Sequence, residues 1–217
     1  MKILAIEFSS DRRSVAVALD GIVRGSAVEQ ASRNTPAFKL IEQSLADAGV
    51  EREQIECLAI GLGPGSYTGI RSAIALAQGW QLALQVKLLG ISSVECLAAE
   101  AKSRGHSGSV NILIDAQRNE FYHARYQVSE KESRQITPLK LAGLEELRST
   151  FSAEEIIIGP HADNWFSQAK SLYPTASTLL RIAAGRSDFV PGDKLEPIYL
   201  RETAFVKAPP PRILPVD

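Results

Sequence analysis

Short apolar runs and stretches of strict apolar–polar alternation divide the chain into strand-sized pieces separated by helical ones. Ile3–Ile6 is an apolar run ending at Glu7. Ser14–Leu19 and Ile22–Glu29 read as two more strands, and Asp20-Gly21 between them has the composition of a two-residue hairpin turn. Phe38, Ile41, Leu45 and Ala48 then recur at helical spacing as an apolar face. That helix starts at Thr35-Pro36, with Thr35 as its cap, and stops at Gly49. Cys57–Gly61 is a buried strand, and Ile70, Ala73, Ile74, Ala77 and Leu84 mark the core face of a second helix. Val86–Ile91 is a strand and Ser92–Arg104 a third helix.

After the polar loop Arg104–Gly108 the pattern begins again. Val110–Ile114 is a strand ending at Asp115, followed by strands over Glu120–Val128 and Arg134–Leu139. A helix over Leu144–Phe151 and a strand over Ile156–Ile158 come next, then helical segments through Leu172 and over Thr178–Gly185. Each stretch offers three strands and then helix and strand in alternation, with one acid, Glu7 or Asp115, ending its first strand. This predicts an α/β protein of two similar halves, residues 1–104 and 109–207, each a mixed sheet flanked by helices. A proline-rich tail, 208–217, is expected to be extended. The arrangement resembles the architecture of actin, sugar kinases and Hsp70, in which the two strand-end acids hold a magnesium–nucleotide complex in a cleft.

Composition narrows the choice. The 217 residues are 45% hydrophobic and 23% charged, with a formal net charge of −1, so the chain has no basic field of its own for nucleic acid. The two cysteines, Cys57 and Cys96, fall in apolar patterns and read as reduced packing residues. The opening MKILAIEFSS lacks the apolar core of a signal peptide, and no apolar run approaches the ~20 residues of a membrane span. A cytoplasmic protein without a membrane partner is expected.

The nucleotide reading is weak in detail. Phosphate-binding hairpins follow the strand-end acid with glycine, because only a missing Cβ lets backbone N–H groups close on phosphate oxygens. Here Phe8-Ser9-Ser10 follows Glu7, and Ala116-Gln117-Arg118-Asn119 follows Asp115. The late turn Ile158-Gly159-Pro160 has one glycine where an adenosine site uses two. The segment GLGPGSYTGIRSAIALAQGW, Gly61–Trp80, has no lysine of a P-loop. It reads as a tight strand-to-helix turn, with Ser66 or Thr68 capping the helix. His106, His123 and His161 are scattered without ligand spacing, so no metal site is expected, and no cofactor. No serine stands in a nucleophile elbow. Arg118, Glu120 and Tyr122 on the second-half hairpin are candidates for a functional group, although a solvated strand face is the better reading.

The helix after the glycine turn carries a second stripe of small residues, Ser72, Ala75, Gly79 and Ala83. Glycine in a helix interior costs roughly 1 kcal/mol relative to alanine. The stripe therefore lets another helix come close, either the Phe38–Ala48 helix of the same chain or a helix of another subunit.

Five segments together, KILAIEFSS, GLGPGSYTGIRSAIALAQGW, LLGISSVECLA, IDAQRNEFYHARY and EPIYLRE, carry a resemblance. In order from Met1 to about Glu202, the chain resembles the TsaB (YeaZ) family of bacterial tRNA threonylcarbamoyladenosine modification. That resemblance implies an actin-like (ASKHA) fold of two RNase H-like halves and a non-catalytic partner of a TsaD-like transferase, working with a TsaE-like ATPase and reaching tRNA through the complex. It places the transferase contact, and a competing homodimer, on the first two helices, with Phe38, Ile41, Ser72, Ala75, Gly79 and Ala83 as interface residues. The chain departs from the family at Glu7-Phe8, where Asp-Thr is common, and near Asn34, where a histidine is frequent. The alternatives are an ATP-dependent kinase or ATPase using Glu7 and Asp115, and a metallopeptidase.

Overall fold

The computed structural model describes residues 1–29, 36–152 and 154–200. Thr35, Asn34 and the 208–217 tail lie outside the described residues. Two five-stranded sheets make up the frame. The first contains β1 (Lys2–Glu7), β2 (Ser14–Leu19), β3 (Ile22–Val28), β4 (Cys57–Gly61) and β5 (Lys87–Ile91), in the order β3-β2-β1-β4-β5. The second contains β6 (Gly108–Asp115), β7 (Glu120–Val128), β8 (Ser133–Gly143), β9 (Ile156–Gly159) and β10 (Lys170–Ser171), in the order β10-β9-β6-β7-β8.

The two orders are the same once each sheet is counted from its own first strand. In both, the first strand pairs antiparallel with the second and parallel with the fourth. Hairpins join consecutive antiparallel strands, while the parallel pairs need crossover connections. At the first hairpin Asp20 and Gly21 both take positive φ, 50° and 80°, which matches the twist of the strands they join.

Among the described residues, five α-helices cover the sheets: α1 (Ala37–Ala48), α2 (Tyr67–Leu84), α3 (Ser93–Ser103), α4 (Leu144–Thr150) and α5 (Ala176–Ala183). Alternation along β1 sends Leu4 and Ile6 to an outer core with α1 and α2, and Ile3 and Ala5 to an inner one with α5. The inner face of that sheet is small, with Ala5, Ala16, Ala18 and Ala59, so α5 approaches closely through Ala176, Leu179 and Ala183. The second sheet packs α3 on its inner face, through Val94, Leu97 and Ala101, and α4 on its outer face, through Leu144 and Leu147. α3 and α5 thus lie side by side between the sheets, each resting mainly on the sheet built from the other stretch of chain. A polar contact ties them: Thr178 Oγ1 donates to the buried Glu100 carboxylate, with Arg104 and Arg181 at 3.3 and 3.4 Å from its two oxygens.

Several expectations are corrected. Phe38 is not a core residue of α1; the buried positions are Leu40, Ile41, Ser44 and Leu45. The core face is turned because the Ser44 hydroxyl donates to Val15 O and Leu40 O, which lets a small polar residue lie against β2. Pro36 is itself the N-cap residue of α1. Leu84 is exposed at the end of α2, where the helix runs past the sheet. The expected helical segment before Leu172 is a 3₁₀ turn at Ala162–Asn164 and the two-residue strand β10, whose pairing with β9 leaves no room for a helix.

Candidate docking groove and interlobe cleft

The segment Gly61–Trp80 is built for close packing of backbone on backbone. A Cβ on Gly65 would fall 2.1 Å from Ser9 O, and one on Gly69 would fall 2.0 Å from Phe8 O. The Ser66 N–H donates to Ser9 O at 2.6 Å, and the Ser66 hydroxyl caps α2 by accepting from the Gly69 N–H at 3.3 Å. The Ser93 N–H donates to Gly63 O at 2.7 Å, and the Ser93 hydroxyl to the Ser9 hydroxyl at 2.8 Å. The Ser66 N–H is thus spent on the chain's own Ser9 carbonyl, and the Gly69 N–H on the Ser66 hydroxyl, in the place where a phosphate loop would present its donors to an anion.

α2 buries Ile70, Ala73, Ile74 and Ala77, with Leu76 and Trp80 partly buried against the same core. Its small residues Ser72, Ala75, Gly79 and Ala83 form one wall of an open groove of about 830 Å³. Ala37, Phe38 and Ile41 of α1 form the facing wall, with Trp80 and Leu84 at the α2 edge and Arg52 and Glu53 at one rim. The six residues singled out from sequence therefore share one concave surface. They contribute differently: Phe38 is 56% exposed, whereas Ile41 is 1% exposed and serves as floor. Helix α1 packs on β2 and β3, so it is not the neighbour that explains the small stripe. A Cβ on Gly79 would meet nothing within 4 Å, so no group of the chain among the described residues requires glycine there. Trp80 was not singled out from sequence and Leu84 was read as core; their place beside the stripe, one position from Gly79 and Ala83, was the available signal.

The second concavity, about 720 Å³, lies between the lobes. Ser9, Asp11, Ser66 and Tyr67 line it from one side, and Asp115, Tyr122, His161 and Trp165 from the other. Asp115 faces this cleft and accepts from the Gln117 N–H at 2.7 Å. Glu7 is absent from the lining. It is fully buried, accepts from the Ser9 N–H at 2.7 Å, and turns its other oxygen to Gly61. Loss of solvent pushes its carboxyl up to about 7, with the Ser9 hydrogen bond opposing. An acid fully buried against Gly61 is badly placed to hold magnesium in the cleft, and the two acids do not form a pair across it. Among the described residues no group of three His, Cys, Asp or Glu is placed to hold a metal.

His161, which looked scattered in sequence, crosses the cleft. Its Nε2 lies 2.8 Å from Asp11 Oδ2, and Tyr173 Oη lies 3.2 Å from its Nδ1. Cys57 and Cys96 are buried, and burial raises both thiols, Cys57 to about 11. Both are packing residues. His123 is likewise a core group, 3.1 Å from Asn111 Oδ1, and burial lowers it to about 4.

Comparison with known proteins gives the family. Residues 2–175 match the family described as tRNA N6-adenosine threonylcarbamoyltransferase, TsaD. A protein of Escherichia coli, tRNA threonylcarbamoyladenosine biosynthesis protein TsaB, is 30% identical, with 97% of this chain and 99% of that protein covered. The chain belongs to the TsaB family. A Bacillus subtilis TsaB is 28% identical over 64% of this chain and 60% of its own length. YeaZ of Pseudomonas aeruginosa superimposes with a TM-score of 0.79 at 26% identity, covering 92% of this chain and 99% of that one. The duplicated sheet order and this match establish the actin-like fold of two RNase H-like halves. Among the described residues, no helix of this TsaB-family chain is long and apolar enough to cross a membrane.

Proposed function

We propose that this chain is the docking subunit of a tRNA-modifying assembly: it supports a TsaD-like transferase in threonylcarbamoylation of the adenosine next to the anticodon, and does no chemistry itself. The TsaB relatives bear the name of tRNA threonylcarbamoyladenosine biosynthesis; this chain covers 99% of the Escherichia coli one and shares the fold of Pseudomonas aeruginosa YeaZ. The observation that carries the docking role is the groove between α1 and α2. Its wall of Ser72, Ala75, Gly79 and Ala83 includes a helix-interior glycine with open space above it. An exposed glycine that costs helix stability and relieves no clash within its chain suits a close helix–helix approach from outside. A helix of the transferase is the occupant, a second copy of this chain competes for the same surface, and a TsaE-like ATPase completes the assembly. Such work places the chain in the cytoplasm, with tRNA bound through the complex.

The experiment is reconstitution. With purified transferase, ATPase and tRNA, modification requires this chain and fails with Gly79→Leu. Equal modification without the chain overturns the proposal.

A further inference from the structure

Two features meet on one short loop, residues 8–13, between β1 and β2. At one end, the loop is pressed against the start of α2. Gly65 and Gly69 bring the turn into backbone contact with Ser9 and Phe8, where added β-carbons would lie 2.1 and 2.0 Å from carbonyl oxygens. The Ser66 N–H to Ser9 O hydrogen bond, 2.6 Å, joins them. No flexible side chain lies between loop and helix, so neither can shift without displacing the other. At the other end, the loop reaches across the cleft to the second lobe. Asp11 Oδ2 is 2.8 Å from His161 Nε2, Tyr173 Oη is 3.2 Å from His161 Nδ1, and the Arg12 guanidinium lies over the Tyr173 ring at 5.7 Å.

We propose that residues 8–13 couple the two sites, so that the width of the interlobe cleft and the placement of the first turn of α2 change together. The part free to open is the Asp11–His161–Tyr173 brace, which is half exposed at the cleft, away from the inner layer of α3 and α5 and from the segment around Val190–Ile198 that bonds to Leu62 and Leu88. With the brace made, Ser9 O stays under the Ser66 N–H and α2 starts in the position seen here. With it broken, the loop relaxes toward the cleft, and the start of the groove-bearing helix loses its support. Only the last consequence, an effect on partner affinity, rests on the docking role proposed above.

The test uses Asp11→Ala and His161→Ala in the full chain. Both side chains are partly exposed, at 39% and 50%, so both variants are expected to fold. Spin labels on Asp47→Cys and Glu130→Cys, exposed sites on opposite lobes, report the cleft; both native cysteines are buried. Amide exchange at residues 66–70 reports the start of α2. Each variant is expected to lengthen or broaden the interlobe distance and to speed exchange of the Ser66 amide about tenfold, the loss of its one hydrogen bond's protection, with residues 69 and 70 following as the first turn loosens. Unchanged distances would show that the brace holds nothing, and a wider cleft with unchanged exchange would show that the loop does not couple. Affinity for the purified transferase should fall in the same variants. If Gly79→Leu leaves that affinity untouched, the docking role fails while the two structural readouts still decide the coupling.

Discussion

The Glu7 carboxylate lies directly against Gly61: a β-carbon on Gly61 would fall 2.1 Å from Glu7 Oε2. The strand-end acid, one methylene longer than aspartate, therefore folds back over β4 and away from the cleft. A buried carboxyl raised from 4.5 to about 7 binds its proton more tightly folded than unfolded. Its contribution to stability is complete below pH 4.5 and is lost as pH rises through 7, a span worth about 3 kcal/mol. Glu7→Gln should remove that decline. Urea unfolding at pH 5 and pH 8 measures it; equal pH dependence in both proteins would contradict the burial account.

The two glycines of α2 should respond in opposite directions. Gly79→Ala meets open space and should stabilise the helix by up to about 1 kcal/mol. Gly69→Ala drives a methyl group to 2.0 Å from Phe8 O and should cost about 2 kcal/mol or more. Denaturation midpoints decide, and a destabilised Gly79→Ala would point to a contact within the chain.

Gly79→Leu should keep the fold and lose the partner. Circular dichroism with co-purification separates the two effects. Association at wild-type affinity would place the interface on another face of the lobe.

Isolated protein should show no micromolar binding of ATP with magnesium. Calorimetry measures this directly. Micromolar binding that disappears in Asp115→Ala would restore the ATP-dependent reading, since Asp115 is the strand-end acid that faces the cleft.

Thr178→Val should cost about 1–3 kcal/mol by leaving the buried Glu100 oxygen without its hydroxyl donor. A double-mutant cycle with Glu100→Gln should show coupling. Additive effects would mean the two side chains act separately.

Much of the frame was legible from periodicity. β2 and β7 run over Ser14–Leu19 and Glu120–Val128 as read, because alternation and turn residues mark both ends. The Ser72–Ala83 stripe was legible because a helix repeat fixes which residues share a face. The facing wall was less so: Phe38 and Ile41 are both apolar on one helix, and only the seat of α1 on β2 and β3 separates the exposed ring from the buried one. Asp11 and His161 stand 150 positions apart, and nothing local in either segment announces their meeting. Nor does an amphipathic face say which sheet covers it, which hid the crossed seating of α3 and α5.

That crossed seating makes the protein indivisible. Cut after the first sheet's last helix, residues 1–104 would leave Val94, Leu97 and Ala101 of α3 uncovered and lose the α5 that shields Ala5, Ala16 and Ala59. Both fragments would present greasy surfaces to water, so the lobes must be born, and must melt, as a single cooperative body.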